Sequence, residues 1–127
     1  MTFLDSDILV DMLRGFIPSL AWYAGLVTKP SLPGVVAMEL IQGTRNSGEL
    51  RLVTKVLKPM QLVWPTEVDC LKALADFTRF HLSHSLGLVD ALIAATVAGR
   101  AGTLCTFNVK HYRMVPGLAT SQPYDRS

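Results

Sequence analysis

The sequence predicts an α/β domain with a central, mainly parallel sheet flanked by helices. Three observations carry that expectation. Short apolar runs bounded by turn residues alternate with helical periodicities along the chain. The stretch Gly87–Gly102 holds a helix apolar on nearly every face, and such a helix belongs in a core. The 127 residues suffice for one core and are too few for two, so residues 1–127 are expected to form a single domain.

Each element has a local reason. Thr2-Phe3-Leu4 is a short strand, and Ile8, Leu9, Met12 and Leu13 keep helical spacing up to Gly15, a helix stop. Phe16–Thr28 predicts a second helix with Pro18 in its first turn and Trp22 and Tyr23 as core or interface bulk. Pro30 and Pro33 restrict the next piece to a turn and a short extended segment. Val35–Gln42 reads as an apolar helix closed by Gly43, and Glu49–Leu57 as a more polar one. Gln61–Trp64 is a strand between two prolines. Thr66 caps a long helix to about Ser83, with Asp69 in the capping-box position and Val68, Leu71, Ala75, Thr78 and Leu82 as its inward stripe. His81 and His84 then lead into the Asp90 helix. Thr103–Thr106 is a strand, Phe107–Met114 a polar turn, and the tail from Val115 holds one edge strand.

Composition narrows the function classes. Half the residues are hydrophobic and 17% are charged, so part of the surface is expected to be apolar and covered by a partner. A net charge of +2 does not by itself announce a nucleic-acid binder. The longest uncharged run, Gly15–Thr28, is too short to span a membrane, and Asp5, Asp7 and Asp11 fall where a signal peptide would be apolar. Cys70 and Cys105 stand alone and read as buried small hydrophobes in a reducing compartment; a cytoplasmic location is expected.

Three acids stand out. Asp5, Glu39 and Asp90 are each embedded in apolar sequence, whereas the other acids lie in polar stretches and are expected to be solvated. In a parallel sheet the binding crevice lies beyond the carboxyl ends of the strands, and all three fall there by order of elements. Converging carboxylates repel: two charges 4 Å apart cost about 4 kcal/mol at an effective dielectric of about 20. Such a cluster binds protons or a cation, and oxygen-only ligands favour Mg²⁺ or Mn²⁺. For Asp90 alone, a helix-capping role weighs equally.

These residues carry a family pattern. Leu4–Gly15, Ala37–Gly43, Leu88–Thr96, and Thr103–Tyr112 with Val115–Leu118 resemble, in order and at fitting spacing, the motifs of PIN-domain ribonucleases of the VapC toxin type. The resemblance implies a three-layer PIN-like fold and Mg²⁺- or Mn²⁺-dependent cleavage of RNA. It also implies homodimerisation and inhibition by a VapB-like antitoxin. Asp5, Glu39 and Asp90 take the places of the metal-binding acids. Thr106 belongs to the last motif, and Asn108 stands where family members often carry a fourth acid. A neutral amide adds no charge there. The alternative is therefore an RNA- or antitoxin-binding module with weak or no cleavage. A third reading, a haloacid-dehalogenase-like phosphatase, rests on Asp5-x-Asp7 after a strand, but Leu9 occupies the place of its usual hydroxyl residue.

Other residues allow two readings each. Asp7 is either a helix N-cap or an extra charge near the metal. Thr106 either holds a water or phosphate or simply closes a strand edge. His81 and His84 lack a third ligand and read as a solvated loop. Arg14, Arg45, Lys110, His111 and Arg113 are candidate phosphate contacts or plain surface polarity.

Overall fold

The computed structural model describes residues 1–127. The elements are β1 (Thr2–Leu4), α1 (Ser6–Leu13), α2 (Ile17–Ala24), β2 (Leu32–Pro33), α3 (Gly34–Gln42), α4 (Ser47–Leu57), β3 (Leu62–Val63), α5 (Glu67–His84), α6 (Leu88–Ala98), β4 (Thr103–Cys105), α7 (Val109–Tyr112) and β5 (Ala119–Ser121). All strand pairs are parallel: β1 with β4, β4 with β5, and β2 with β3. A parallel bridge from Phe3 to Ser31 joins the two ladders into the order β3-β2-β1-β4-β5, with Ser31 N–H donating to the Thr2 carbonyl at 2.8 Å.

This order positions the site. The chain starts at the middle strand, builds outward through β2 and β3, then returns to the other side of β1 for β4 and β5. The direction of build reverses between β1 and β4, where a crevice opens beyond the carboxyl ends of open parallel sheets. Helices flank the sheet, and α6 is the most buried: Ile93, Ala94, Ala95 and Val97 have no exposed surface, nor have Phe3, Leu4 and Leu104 beneath them. Arg14 ends α1 and Gly15 follows at φ +73°, a backbone state that favours glycine. No helix is long and apolar enough to cross a membrane.

Several expectations need correction. The second helix ends at Ala24 instead of Thr28, with Gly25 as its C-cap and the Lys29 ammonium donating back to the Tyr23 carbonyl. The turn after Phe107 contains a short helix, α7. His81 and His84 lie in the last turn of α5, not in a loop, with Ser85 closing it in the left-handed region at φ 56°. Cys70 is exposed; only Cys105 is buried, and burial pushes its thiol up to about 11.

The inward face of α5 was misassigned most instructively. Asp69, Ala73, Asp76 and Phe80 face the core, while Val68, Leu71 and Leu82 are 74%, 60% and 93% exposed. Asp69 and Asp76 are therefore buried acids, not solvated ones. Burial is tolerated because each is paired: Asp69 with Arg100 at 2.8 Å and Asp76 with Lys72. Periodicity in sequence reports apolar stripes; it does not see the cations, Lys72 on the same helix and Arg100 far along the chain, that make a polar stripe the inner one.

Candidate active site

The site grows from the β1–β4 ladder. The Asp5 N–H donates to the Cys105 carbonyl at 3.0 Å, extending the pairing past Leu4 and setting Asp5 beside Thr106. Asp5 is only 2% exposed. Its Oδ1 accepts the Ser6 N–H at 2.8 Å, making Asp5 the N-cap of α1, and its Oδ2 accepts the Thr106 hydroxyl at 2.9 Å. Thr106 is fully buried and its Oγ accepts the Asn108 N–H at 3.0 Å. The threonine hydroxyl thus orients the Asp5 carboxylate, a more definite role than either closing a strand or holding a phosphate.

Asp7 sits one turn on. Its Oδ2 accepts the Phe107 N–H at 2.8 Å, and its Oδ1 is buried without any partner. The cap position belongs to Asp5, so the N-cap role expected for Asp7 is corrected: Asp7 ties α1 to the loop after β4. That bond also removes the ground for the phosphatase reading, since the second acid is turned into the protein's own backbone.

Asp90 lies in the first turn of α6, half-buried, and its Oδ1 accepts the Tyr112 hydroxyl at 3.2 Å. His111 Nδ1 is 3.9 Å from Asp90 Oδ2. The Asp5 charge acts on the same Tyr112 phenol. Glu39 projects from α3, which packs on α1 and α6. One of its carboxylate oxygens is buried with no hydrogen-bond partner. It lines a groove with Ser6, Arg14, Arg45 and Glu49. Asn108 is exposed at the start of α7 and makes no capping hydrogen bond.

The electrostatics are those of a site short of positive charge. Burial, then the neighbouring Asp7 charge, raises Asp5 to about 6. Burial likewise raises Asp7 and Asp90, only partly offset by the Phe107 N–H in one case and by Tyr112 and His111 in the other. Burial and the two carboxylates push the Tyr112 phenol far upward, so it stays a donor. No three acidic, histidine or cysteine side chains stand grouped so that they could hold a metal ion as they are placed. The donor set nevertheless fits a hard divalent ion: all-oxygen ligands, raised carboxyl pKa values, and a buried Glu39 oxygen with nothing to bind. His81 and His84 find no third ligand; the His81 ring nitrogen lies 3.0 Å from the Leu86 carbonyl oxygen.

Of the residues singled out from sequence, Asp5 and Thr106 are hydrogen-bonded to each other, and Asp90 accepts from Tyr112. Glu39 approaches from the adjoining groove, whose lining includes Ser6, the residue that caps onto Asp5. Tyr112 was missed as a site residue. Its flanking Lys110, His111 and Arg113 make the segment read as solvated, yet Tyr112 itself is 1% exposed.

A parallel sheet with buried acids at its switch point places the chain among α/β proteins whose site lies beyond the carboxyl ends of the strands. The model describing the PIN domain matches residues 2–115, and the chain belongs to that family. It is 33% identical over 120 residues to Ribonuclease VapC10 of Mycobacterium tuberculosis, covering 93% of this chain and 90% of the relative. Among solved structures it is similar to a toxin–antitoxin complex from Klebsiella pneumoniae (TM-score 0.78, 20% identity, 98% of this chain and 99% of that one). It is also similar to VapBC-1 from nontypeable Haemophilus influenzae (TM-score 0.74, 20% identity, 94% and 96%).

Proposed function

We propose that this protein is a Mg²⁺- or Mn²⁺-dependent endoribonuclease toxin, acting in the cytoplasm and restrained by a VapB-like antitoxin. The observation that carries the reading is the uncompensated acid cluster. Asp5 and Asp90 share one phenol as neighbour, and Glu39 and Asp7 each keep a buried carboxylate oxygen without a partner. Asp5, Glu39 and Asp90 would hold the ion. When bound, the ion supplies a Lewis acid that lowers the pKa of water and steadies charge on a phosphodiester. The chain's own residues do the positioning. Thr106 and Ser6 fix the Asp5 rotamer, and Asp7 holds the Phe107–Asn108 backbone against α1. Lys110 on α7, Arg113 at its C-cap, and Arg14 and Arg45 in the groove are the basic groups offered for RNA backbone contacts.

The antitoxin and a homodimer are supported by two things: the toxin–antitoxin complexes among the similar structures, and the apolar face that α5 leaves open through Val68, Leu71 and Leu82. The direct test is cleavage of RNA by purified protein with Mg²⁺ or Mn²⁺, abolished by EDTA and by Asp5→Asn or Asp90→Asn. Full activity in both variants rejects the reading.

Asn108 favours a second reading, a module that binds RNA or antitoxin with weak or no cleavage, because its exposed amide adds no charge to the site. Calorimetry of Mn²⁺ on wild type and Asn108→Asp separates the two. A large affinity gain accompanied by new cleavage in Asn108→Asp supports the module; unchanged affinity and cleavage support the nuclease.

A further inference from the structure

The Tyr112 ring belongs to the core, but packing does not explain its hydroxyl. Tyr112 is the largest side chain among those fully buried, and it comes from a four-residue helix otherwise rich in cations. A phenylalanine would fill the same space. The hydroxyl instead donates to a carboxylate, Asp90 Oδ1 in the first turn of α6, at 3.2 Å. The Asp5 charge after β1 also acts on the phenol. Both oxygens of Asp5 already accept one hydrogen bond, from Ser6 and Thr106. Tyr112 is the hydroxyl donor to Asp90, and it occupies Oδ1 while Oδ2 stays free of any hydroxyl.

We propose that Tyr112 is a positioning residue of the divalent-ion site, its hydroxyl fixing the Asp90 carboxylate through Oδ1 so that Oδ2 is held ready for the cation. The inference rests on the metal-site reading above and adds a residue to it. A carboxylate has lone pairs to spare, so this bond persists alongside a bound ion instead of competing with it. Donors behind metal ligands fix ligand orientation, and their loss costs about 10–100-fold in metal affinity.

The test is calorimetry of Mn²⁺ binding to wild type, Tyr112→Phe and Asp90→Asn. Removing the hydroxyl while keeping the ring is expected to raise the Mn²⁺ Kd about tenfold. A merely structural tyrosine would lower Tm and leave the Kd of the folded protein unchanged. Equal affinity in wild type and Tyr112→Phe overturns this inference and leaves the metal site standing. Absence of Mn²⁺ binding by wild type overturns the metal site itself, and the inference with it. A second measurement needs no variant: the Tyr112 hydroxyl proton, sealed from solvent, should give a slowly exchanging NMR line in metal-free protein that survives saturation with Mg²⁺. Loss of that line on adding Mg²⁺ shows the hydroxyl to be displaced by the ion, and overturns the proposal.

Discussion

Two corners of this molecule bury carboxylates beside helix starts and leave them in opposite electrostatic states. At one, Asp69 accepts the Thr66 N–H at 2.9 Å and the Arg100 guanidinium at 2.8 Å. Burial alone would raise its pKa, but these partners outweigh it and hold the group below the ordinary range. At the other, Asp5, Asp7 and Asp90 have hydroxyl and backbone donors but no buried cation, and burial holds all three above it. The Asp69 corner is closed by the chain itself. The Asp5 corner is incomplete without something positive from outside, which is what separates a structural acid from a functional one.

The sharpest way to break this contrast is to neutralise one acid in each corner. Asp5→Asn and Asp90→Asn should each lower RNA cleavage by more than about 100-fold, the upper end for losing a group behind a metal ligand. Asp69→Asn should leave cleavage per folded molecule unchanged, measured on the same RNA at saturating Mn²⁺. If Asp69→Asn loses as much activity as Asp5→Asn, the two corners are not functionally distinct.

Arg100→Ala probes the closed corner from its other side. It leaves Asp69, nearly fully buried, without its cation, and stability should fall by about 3 kcal/mol in urea unfolding. No cation of the Asp5 corner plays a comparable part: Arg126, whose charge acts on Asp7 from the exposed tail, should cost under about 1 kcal/mol when replaced by Ala.

pH sharpens the comparison because the two corners have opposite signs. The folded-state pKa of Asp5 is raised from 3.8 to about 6. Its contribution to stability is therefore full below 3.8 and lost as pH rises through about 6, on the order of 2–3 kcal/mol in metal-free protein. Asp69 is lowered, so its contribution is present above its ordinary range and lost as pH falls through its folded value. Tm of metal-free protein should fall between about pH 4 and pH 6, and Mn²⁺ or Asp5→Asn should flatten that fall. A metal-free Tm that climbs across this interval would contradict the Asp5 assignment.

The smallest effects come from two glycines. A Cβ on Gly99 would lie within 2.2 Å of Asp69 Oδ1 and force the closed corner apart, so Gly99→Ala should cost about 1–3 kcal/mol. A Cβ on Gly87 would stand 3.7 Å from Asp90 Oδ2, an ordinary contact, and Gly87→Ala should change stability by under about 0.5 kcal/mol. Thermal unfolding of the two variants side by side reads the difference.

Much of this was legible in the sequence, for identifiable reasons. Asp5, Glu39 and Asp90 announced themselves because a charge inside an apolar run has no cheap explanation. The alternation of strands and helices gave the sheet, and strand ends gave the edge where those acids belong. Asp69 escaped notice as a buried acid because its capping-box position already explains it and its cation lies 31 positions away. Tyr112 escaped for another reason: Lys110, His111 and Arg113 surround it in sequence, while in space it is buried against α6. The inward face of α5 was misread because Leu71 and Leu82 outshout Asp69 and Asp76 in any hydrophobicity pattern.

By itself, then, the sequence determined the α/β class, the element order and the identity of the candidate acids, because those follow from local periodicity and from isolated charges in apolar surroundings. Only the tertiary structure decided which acids are neutralised within the chain and which are left waiting, because that depends on contacts between residues a hundred positions apart: Thr106 on Asp5, the Phe107 N–H on Asp7. Charge compensation acts through space over a few ångströms, and no window along the chain contains it.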